Sequence, residues 1–228
     1  MTRTPLDLKP LPRPHVQKYA QCAMQGCPFP PRSFSRYCSS HARNVHRVRD
    51  PNGRAVRTGE LRPYIQLADE YLQRNAMHPA VIAAVEFLQT NLTDTRLPGA
   101  VRKEMRRLHT DGATGRAMLV NYLAVEGLSF YLPHTYTSDA CHRFNAGNRT
   151  LRTTALPSFY NASGKRRPTR IAPRVAETYG FLLTATLGVF AKQFWTRVQR
   201  EQEAPHRASV AVARAVQNTP FDEPEEAA

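Results

Sequence analysis

Three of the four cysteines in this chain, Cys22, Cys27 and Cys38, fall within 17 residues, and His41 follows three residues later. Cys-x4-Cys, a ten-residue gap and Cys-x2-His make two close pairs of donors. A tetrahedral zinc ion uses such pairs to tie together segments that have no core of their own. The plain alternative is a set of ordinary buried thiols, which does not account for three of them clustering beside a spaced histidine. In a reducing compartment the clustering favours a metal over disulfides. Zn2+ is therefore the expected cofactor, with Cys22, Cys27, Cys38 and His41 as ligands. His46 competes for the fourth place. A Cys-x2-His pair fits the opening turn of a helix, so His41 is assigned and His46 is left to solvent or phosphate.

Gly26 before Cys27 suits the tight turn of a ligand knuckle, and Phe29, Phe34 and Tyr37 are candidates to cover the site. The stretch CAMQGCPFPPRSFSRYCSSHARNVHRVRDPNG resembles the small treble-clef-like Cys-Cys-Cys-His zinc modules of phage and mobile-element proteins, some of them relatives of His-Asn-His endonucleases. The resemblance spans residues 18 to 55 only. It implies a knuckle with the first ligand pair, a short hairpin over Pro28 to Tyr37, and a helix whose first turn carries Cys38 and His41. Nuclease members of that group need a histidine on the hairpin and further metal ligands. Here the hairpin PFPPRSFSRY has no histidine and no carboxylate.

The charge is lopsided, and that bears on partners. The chain carries +14, with a sequence pI near 10.2, which points to a polyanion. Residues 1–58 hold 11 Lys/Arg against 2 Asp/Glu, a net of +9, and residues 97–172 hold 12 against 4, a net of +8. A helix over residues 39–49 would crowd Arg43, His46, Arg47 and Arg49 on its outer side, near Arg32 and Arg36. Such a helix is of a size to enter a major groove, with the proline-rich arm 1–17 lying along phosphates. A solvated basic face is the bland alternative. The run SGKRRPTR, with Lys165, Arg166, Arg167 and Arg170, follows Phe159 and Tyr160 and reads either as a phosphate-binding arm or as a disordered connector.

Beyond the Asp50-Pro51-Asn52-Gly53 turn signal, three- and four-residue apolar spacing predicts a helix from Arg62 onward through Tyr64, Leu67, Ala68, Tyr71 and Leu72, and helices over residues 79–92, 98–109 and 114–126, the last capped by Gly127. Residues 128–172 read as irregular, with Cys141 as a loop thiol. Two more helices are expected over 173–201 and 206–217. The apolar run 179–191 is too short to span a bilayer, so no membrane partner is expected. The helices joined by His109 to Ala113 also fit a helix-turn-helix, although core helices share that pattern. Cys141-His142 is a poor nucleophile pair, because neighbouring side chains diverge and no orienting acid follows.

The expected architecture is mainly α: a basic arm (1–17), a treble-clef-like zinc module (18–58), a helical domain (59–217) and an acidic tail (218–228). The expected function is nucleic-acid binding, duplex DNA ahead of RNA, in an accessory or regulatory protein of bacterial or mobile-element type. The helical domain would serve partners or self-association. No apolar leader opens the chain, so a cytoplasmic site is expected. The alternatives are a protein-interaction adaptor with a purely structural zinc site and a metal-dependent nuclease. No catalytic residue is assigned.

Overall fold

The computed structural model describes residues 21–218 except 33–34, 157, 161–165 and 169; for 158–160, 166–168 and 204–218 it describes the backbone alone. The arm 1–17, Phe34, Lys165 and the tail beyond residue 218 therefore lie outside the described residues. The chain is mainly helical: α1 (Ser39–Val48), α2 (Thr58–Arg74), α3 (Pro79–Asn91), α4 (Gly99–Thr110), α5 (Gly115–Tyr131), α6 (Asp139–Thr150) and α7 (Pro173–Asn218). A 3-10 turn at Pro133–Thr135 and two short antiparallel strands, β1 (Ser158–Tyr160) and β2 (Arg166–Pro168), complete it.

The starts of the helices follow from local chemistry. The Glu60 carboxylate accepts from Arg57 N at 2.7 Å, satisfying one of the orphan amides that open α2. His78 Nδ1 accepts from Ala80 N at the start of α3, where Pro79 has no N–H to waste. Thr114 and Ser138 cap α5 and α6 through bonds from Ala117 N and Cys141 N.

α5 is the central helix, with Met118, Leu119, Tyr122, Leu123, Ala124 and Val125 fully buried and only Arg116 exposed. α2, α3, α6 and α7 pack around it. A helix so enclosed cannot enter a DNA groove, which removes the helix-turn-helix reading of residues 99–126. Gly127 does not cap α5, which runs on to Tyr131. A side chain at Gly127 would run into the Trp195 ring, and without one the indole lies flush on α5 and donates to Leu123 O at 2.9 Å. Tyr64, Tyr131, Phe194 and Trp195 form one aromatic cluster around it.

Residues 139–150, expected to be irregular, form α6, and Cys141 is buried in its first turn rather than free in a loop. The sequence hides this helix because DACHRFNAGNRT is polar and holds a glycine. That glycine is what α6 needs. Gly147 and Gly180 let the backbones of α6 and α7 meet, and a Cβ at either would overlap the carbonyl of Ala176 or Arg143. The two helices expected over 173–201 and 206–217 are one continuous helical backbone, in keeping with the alanine-rich sequence of the second.

The close crossing gives a stability test. Gly147→Ala is expected to cost about 3 kcal/mol or more, because backbone cannot yield as a flexible side chain can. Gly59 has open space around it, and Gly59→Ala in the first turn of α2 should be neutral or stabilise by about 0.5–1 kcal/mol. Urea unfolding followed by circular dichroism separates the two, and equal midpoints would refute the packing of α6 on α7.

Candidate metal centre and basic face

Residues 21–38 form no strand among the described residues; Pro28, Pro30 and Pro31 lack the N–H groups a hairpin ladder would use. The expected hairpin is instead a loop closed by Arg32 N to Tyr37 O at 2.9 Å and Ser35 N to Arg32 O at 2.9 Å. Ala23 N bonds to Arg36 O at 2.8 Å, which brings the start of the segment beside its end. Gly26 sits at φ +73°, in the left-handed region that glycine enters without strain, and Cys27 N bonds back to Met24 O at 3.1 Å. This is a tight knuckle bearing Cys22 and Cys27. Cys38 is the N-cap of α1, with extended backbone, so His41 follows on the helix's opening turn, on the same side.

The ligand atoms of Cys22, Cys27, Cys38 and His41 all lie within 4.8 Å of one another. His41 Nδ1 is 3.3 Å from Cys22 Sγ and 3.3 Å from Cys38 Sγ, and Cys27 Sγ is 3.8 Å from Cys38 Sγ. Such a cluster could hold one metal ion. Among the described residues no other group of three or more His, Cys, Asp or Glu side chains converges in this way. Cys22 and Cys38 are buried, Cys27 and His41 half-buried. Burial acts to raise the Cys22 thiol, but the amides of Cys38 and Met24, with His41 and Cys27 beside it, bring it from 9.0 down to about 6. Cys27 moves the other way: the Phe29 amide favours its thiolate, but burial and the neighbouring Cys22 and Cys38 sulfurs outweigh that amide. His46 is exposed and outside the cluster. Tyr37 is half-buried under the Arg36 guanidinium, 5.2 Å from its ring, whereas Phe29 is 64% exposed and covers little.

The far end of α1 is anchored to the helical body. Val48 is buried in the main core, and Arg49, at φ +67°, closes the helix with a bond from its N–H to Val45 O. Its guanidinium meets Glu177 of α7 at 2.6 Å. The turn at Asp50 to Gly53 forms as its sequence predicts. Asp50 Oδ1 accepts from Asn52 N at 2.7 Å; burial acts to raise its carboxyl, but hydrogen bonds from Ser138, Thr137 and nearby amides hold it below the usual range. A Cβ on Gly53 would lie 2.8 Å from Cys141 Sγ, so glycine lets the turn sit on α6. Asn145 of α6 accepts from Val56 N at 2.8 Å and donates to Arg54 O at 3.1 Å. That pin was not legible from sequence, since its partners lie about ninety residues away.

The candidate basic residues divide into three groups. Arg43, His46 and Arg47 are exposed on α1, with Arg32 and Arg36 exposed on the preceding loop, and none has a carboxylate partner among the described residues. Arg49 also reaches the surface, but its charge is taken by Glu177. In the second block, Arg166 and Arg167 stand on β2 opposite Tyr160 and Phe159, and Arg170 is exposed. The segment read as arm or connector is thus a short antiparallel ribbon at its base.

Cys141 and His142 form no dyad. Burial pushes the Cys141 thiol up, and His142 Nε2 instead lies 3.1 Å from Glu126. A cavity of about 500 Å3, not legible from the sequence, lies between residues 55–58 and the end of α6 and is lined in part by Arg57, Arg149 and Arg152. Its arginines are scattered singly along the chain. Among the described residues no helix is long and apolar enough to cross a membrane.

Comparison with family models, with curated proteins and with solved structures finds no match to this chain.

The ligand assignment has a direct check. His41→Ala and Cys38→Ser should each release the bound metal and unfold residues 21–50 while the helical body keeps its circular dichroism. His46→Ala should retain one equivalent. Metal loss from the His46 variant, or full retention in either of the other two, would refute the assignment.

Proposed function

We propose that this chain is a zinc-containing nucleic-acid-binding protein, in which the metal holds α1 in place and α1 presents arginines to duplex DNA. Zinc is supported by the donor set and the spacing. Tetrahedral zinc with thiolate bonds of about 2.3 Å gives sulfur–sulfur edges of about 3.8 Å, and sulfur–nitrogen edges of about 3.6 Å. Here one sulfur–sulfur edge, Cys27 to Cys38, is 3.8 Å, the edges from His41 to Cys22 and to Cys38 are 3.3 Å, and all four donor atoms lie within 4.8 Å of one another. Three thiols and one imidazole complete the shell with no open position, the mark of a structural rather than a catalytic ion. When bound, zinc supplies a staple for the 21–50 segment, and the treble-clef-like resemblance of residues 18 to 55 agrees with that role.

The reading rests chiefly on Arg43 and Arg47, which are exposed one helical turn apart on a helix fixed at both ends. His46 lies beside them, and Arg32 and Arg36 extend the face. An α-helix about 10–12 Å across with its side chains matches a major groove about 12 Å wide, and the ten residues of α1 give it a length of about 15 Å along the groove. Phosphates supply affinity to such a face, and base edges read from the same helix would supply specificity. Reduced, clustered cysteines favour the cytoplasm. The accessory or regulatory role, of bacterial or mobile-element type, follows from the resemblance.

A second reading, a protein-interaction adaptor, draws on Phe181, Ala185 and Val189. They line an exposed stripe at four-residue spacing on α7, Phe181 being 57% and Val189 73% exposed. The two readings differ in their response to salt.

In gel shifts, duplex DNA should bind with a steep salt dependence. Arg43→Ala with Arg47→Ala should weaken binding roughly tenfold or more and lower the salt slope by about two. Metal content should not change. Single-stranded DNA and RNA run in parallel test the duplex preference. A salt-insensitive complex, or affinity unaltered by the double variant, would move the interface elsewhere.

A further inference from the structure

The cavity beside α6 gathers three arginines, of which Arg57 also feels the Glu60 carboxylate. It lies between the 55–58 segment and residues 145–156, with a volume of about 500 Å3, and no Asp or Glu lines it. Arg57 enters from the 55–58 side, Arg149 from α6 and Arg152 from just beyond the helix end. Six other arginines, Arg49, Arg54, Arg74, Arg96, Arg107 and Arg116, each meet a carboxylate within 3.2 Å. The three around the cavity meet none among the described residues.

Arg149 is the clearest case. Among the described residues its Nε is buried with no acceptor, and its one hydrogen bond is a long one of 3.4 Å from Nη1 to Thr58 Oγ1. Burial, and then the like charge of Arg152, push its guanidinium below the usual arginine range. A buried donor left unmade and two like charges side by side both oppose folding. Basic residues near a helix C-terminus do complement its dipole. That explains charge near the end of α6, but neither a buried Nε nor an arginine arriving from a different segment.

We propose that this cavity binds a phosphate group, held by Arg149 and Arg152 with Arg57 closing from the opposite side. Arginine suits this role, since its planar fork matches phosphate oxygens two at a time. Asn148 and Thr153 add uncharged polar groups to the wall, while Leu61, Val125 and Leu156 give it an apolar side. A small pocket with an apolar wall and a few convergent polar groups suits a ligand of mononucleotide size. The phosphate could come from a free nucleotide or from the phosphorylated end of a nucleic-acid strand. The site is independent of the basic face of α1.

The full-length, metal-loaded protein is titrated by calorimetry with adenosine 5′-monophosphate, with adenosine and with inorganic phosphate. A single-stranded oligonucleotide bearing a 5′-phosphate is compared with its 5′-hydroxyl form. The monophosphate should bind, adenosine should not, and phosphate should compete. Arg149→Gln and Arg152→Gln should each weaken binding by about tenfold or more, as expected for a charged hydrogen bond lost. Arg149→Lys, which keeps the charge but loses the fork, should fall between. Arg152 is exposed, so its variant tests the site even if Arg149→Gln fails to fold. Binding of the monophosphate identifies a free nucleotide as the source. Selective binding of the 5′-phosphorylated strand, lost in Arg152→Gln, identifies a strand end. No saturable binding of any phosphate-bearing probe, or affinities unchanged in both glutamine variants, would overturn the proposal. Duplex binding through Arg43 and Arg47 is read separately, so either claim can fail alone.

Discussion

Four side chains meeting within 4.8 Å give residues 21–50 the nearest thing they have to an interior. Among the described residues of that segment the buried apolar side chains, apart from Cys22 and Cys38, are Ala42 and Val48, few for a loop carrying three prolines between Cys27 and Arg32. Backbone bonds such as Ala23 N to Arg36 O close the loop but cannot hold it alone against chain entropy. A metal ion shared by the four donors would supply what the missing core does not. Everything proposed for the basic face depends on that, because Cys38 and His41 occupy the first turn of the helix that bears Arg43 and Arg47.

The other end of α1 depends on the helical body. Arg49 reaches Glu177 across 128 residues of sequence, Gly53 rests on Cys141, and Asn145 takes both an amide and a carbonyl of the connecting strand of chain. α1 is therefore held by packing at its finish, and a metal on Cys38 and His41 would hold its start. The α6–α7 pair that provides this platform exists because two glycines let its backbones touch. Coupling the module to the body this way also builds the arginine-lined cavity, whose walls come from the connection on one side and α6 on the other.

Much of this was legible in the sequence where the physics is local. Ligand spacing is set by a knuckle and a helical turn, so Cys22, Cys27, Cys38 and His41 could be assigned before any fold was known. α3 and α4 stand within a residue of where the spacing puts them, with Gly112 just past the end of α4, whereas α2 begins at Thr58 rather than Arg62 and carries Pro63 in its first turns. α5 lost its periodicity because it is buried on every side, so its end was misplaced at Gly127, a residue whose real constraint is the Trp195 ring. α6 was hidden by a polar composition that makes sense only against α7. The pairing of Arg49 and the clustering of Arg57, Arg149 and Arg152 are products of the tertiary fold, which no local pattern encodes.

X-ray absorption at the zinc edge on the purified full-length protein tests the central claim most directly. The account predicts one equivalent of zinc, with three sulfur neighbours at about 2.3 Å and one nitrogen at about 2.0–2.1 Å. A shell of nitrogen and oxygen alone, or protein that takes up no zinc and keeps α1 folded without it, would contradict it.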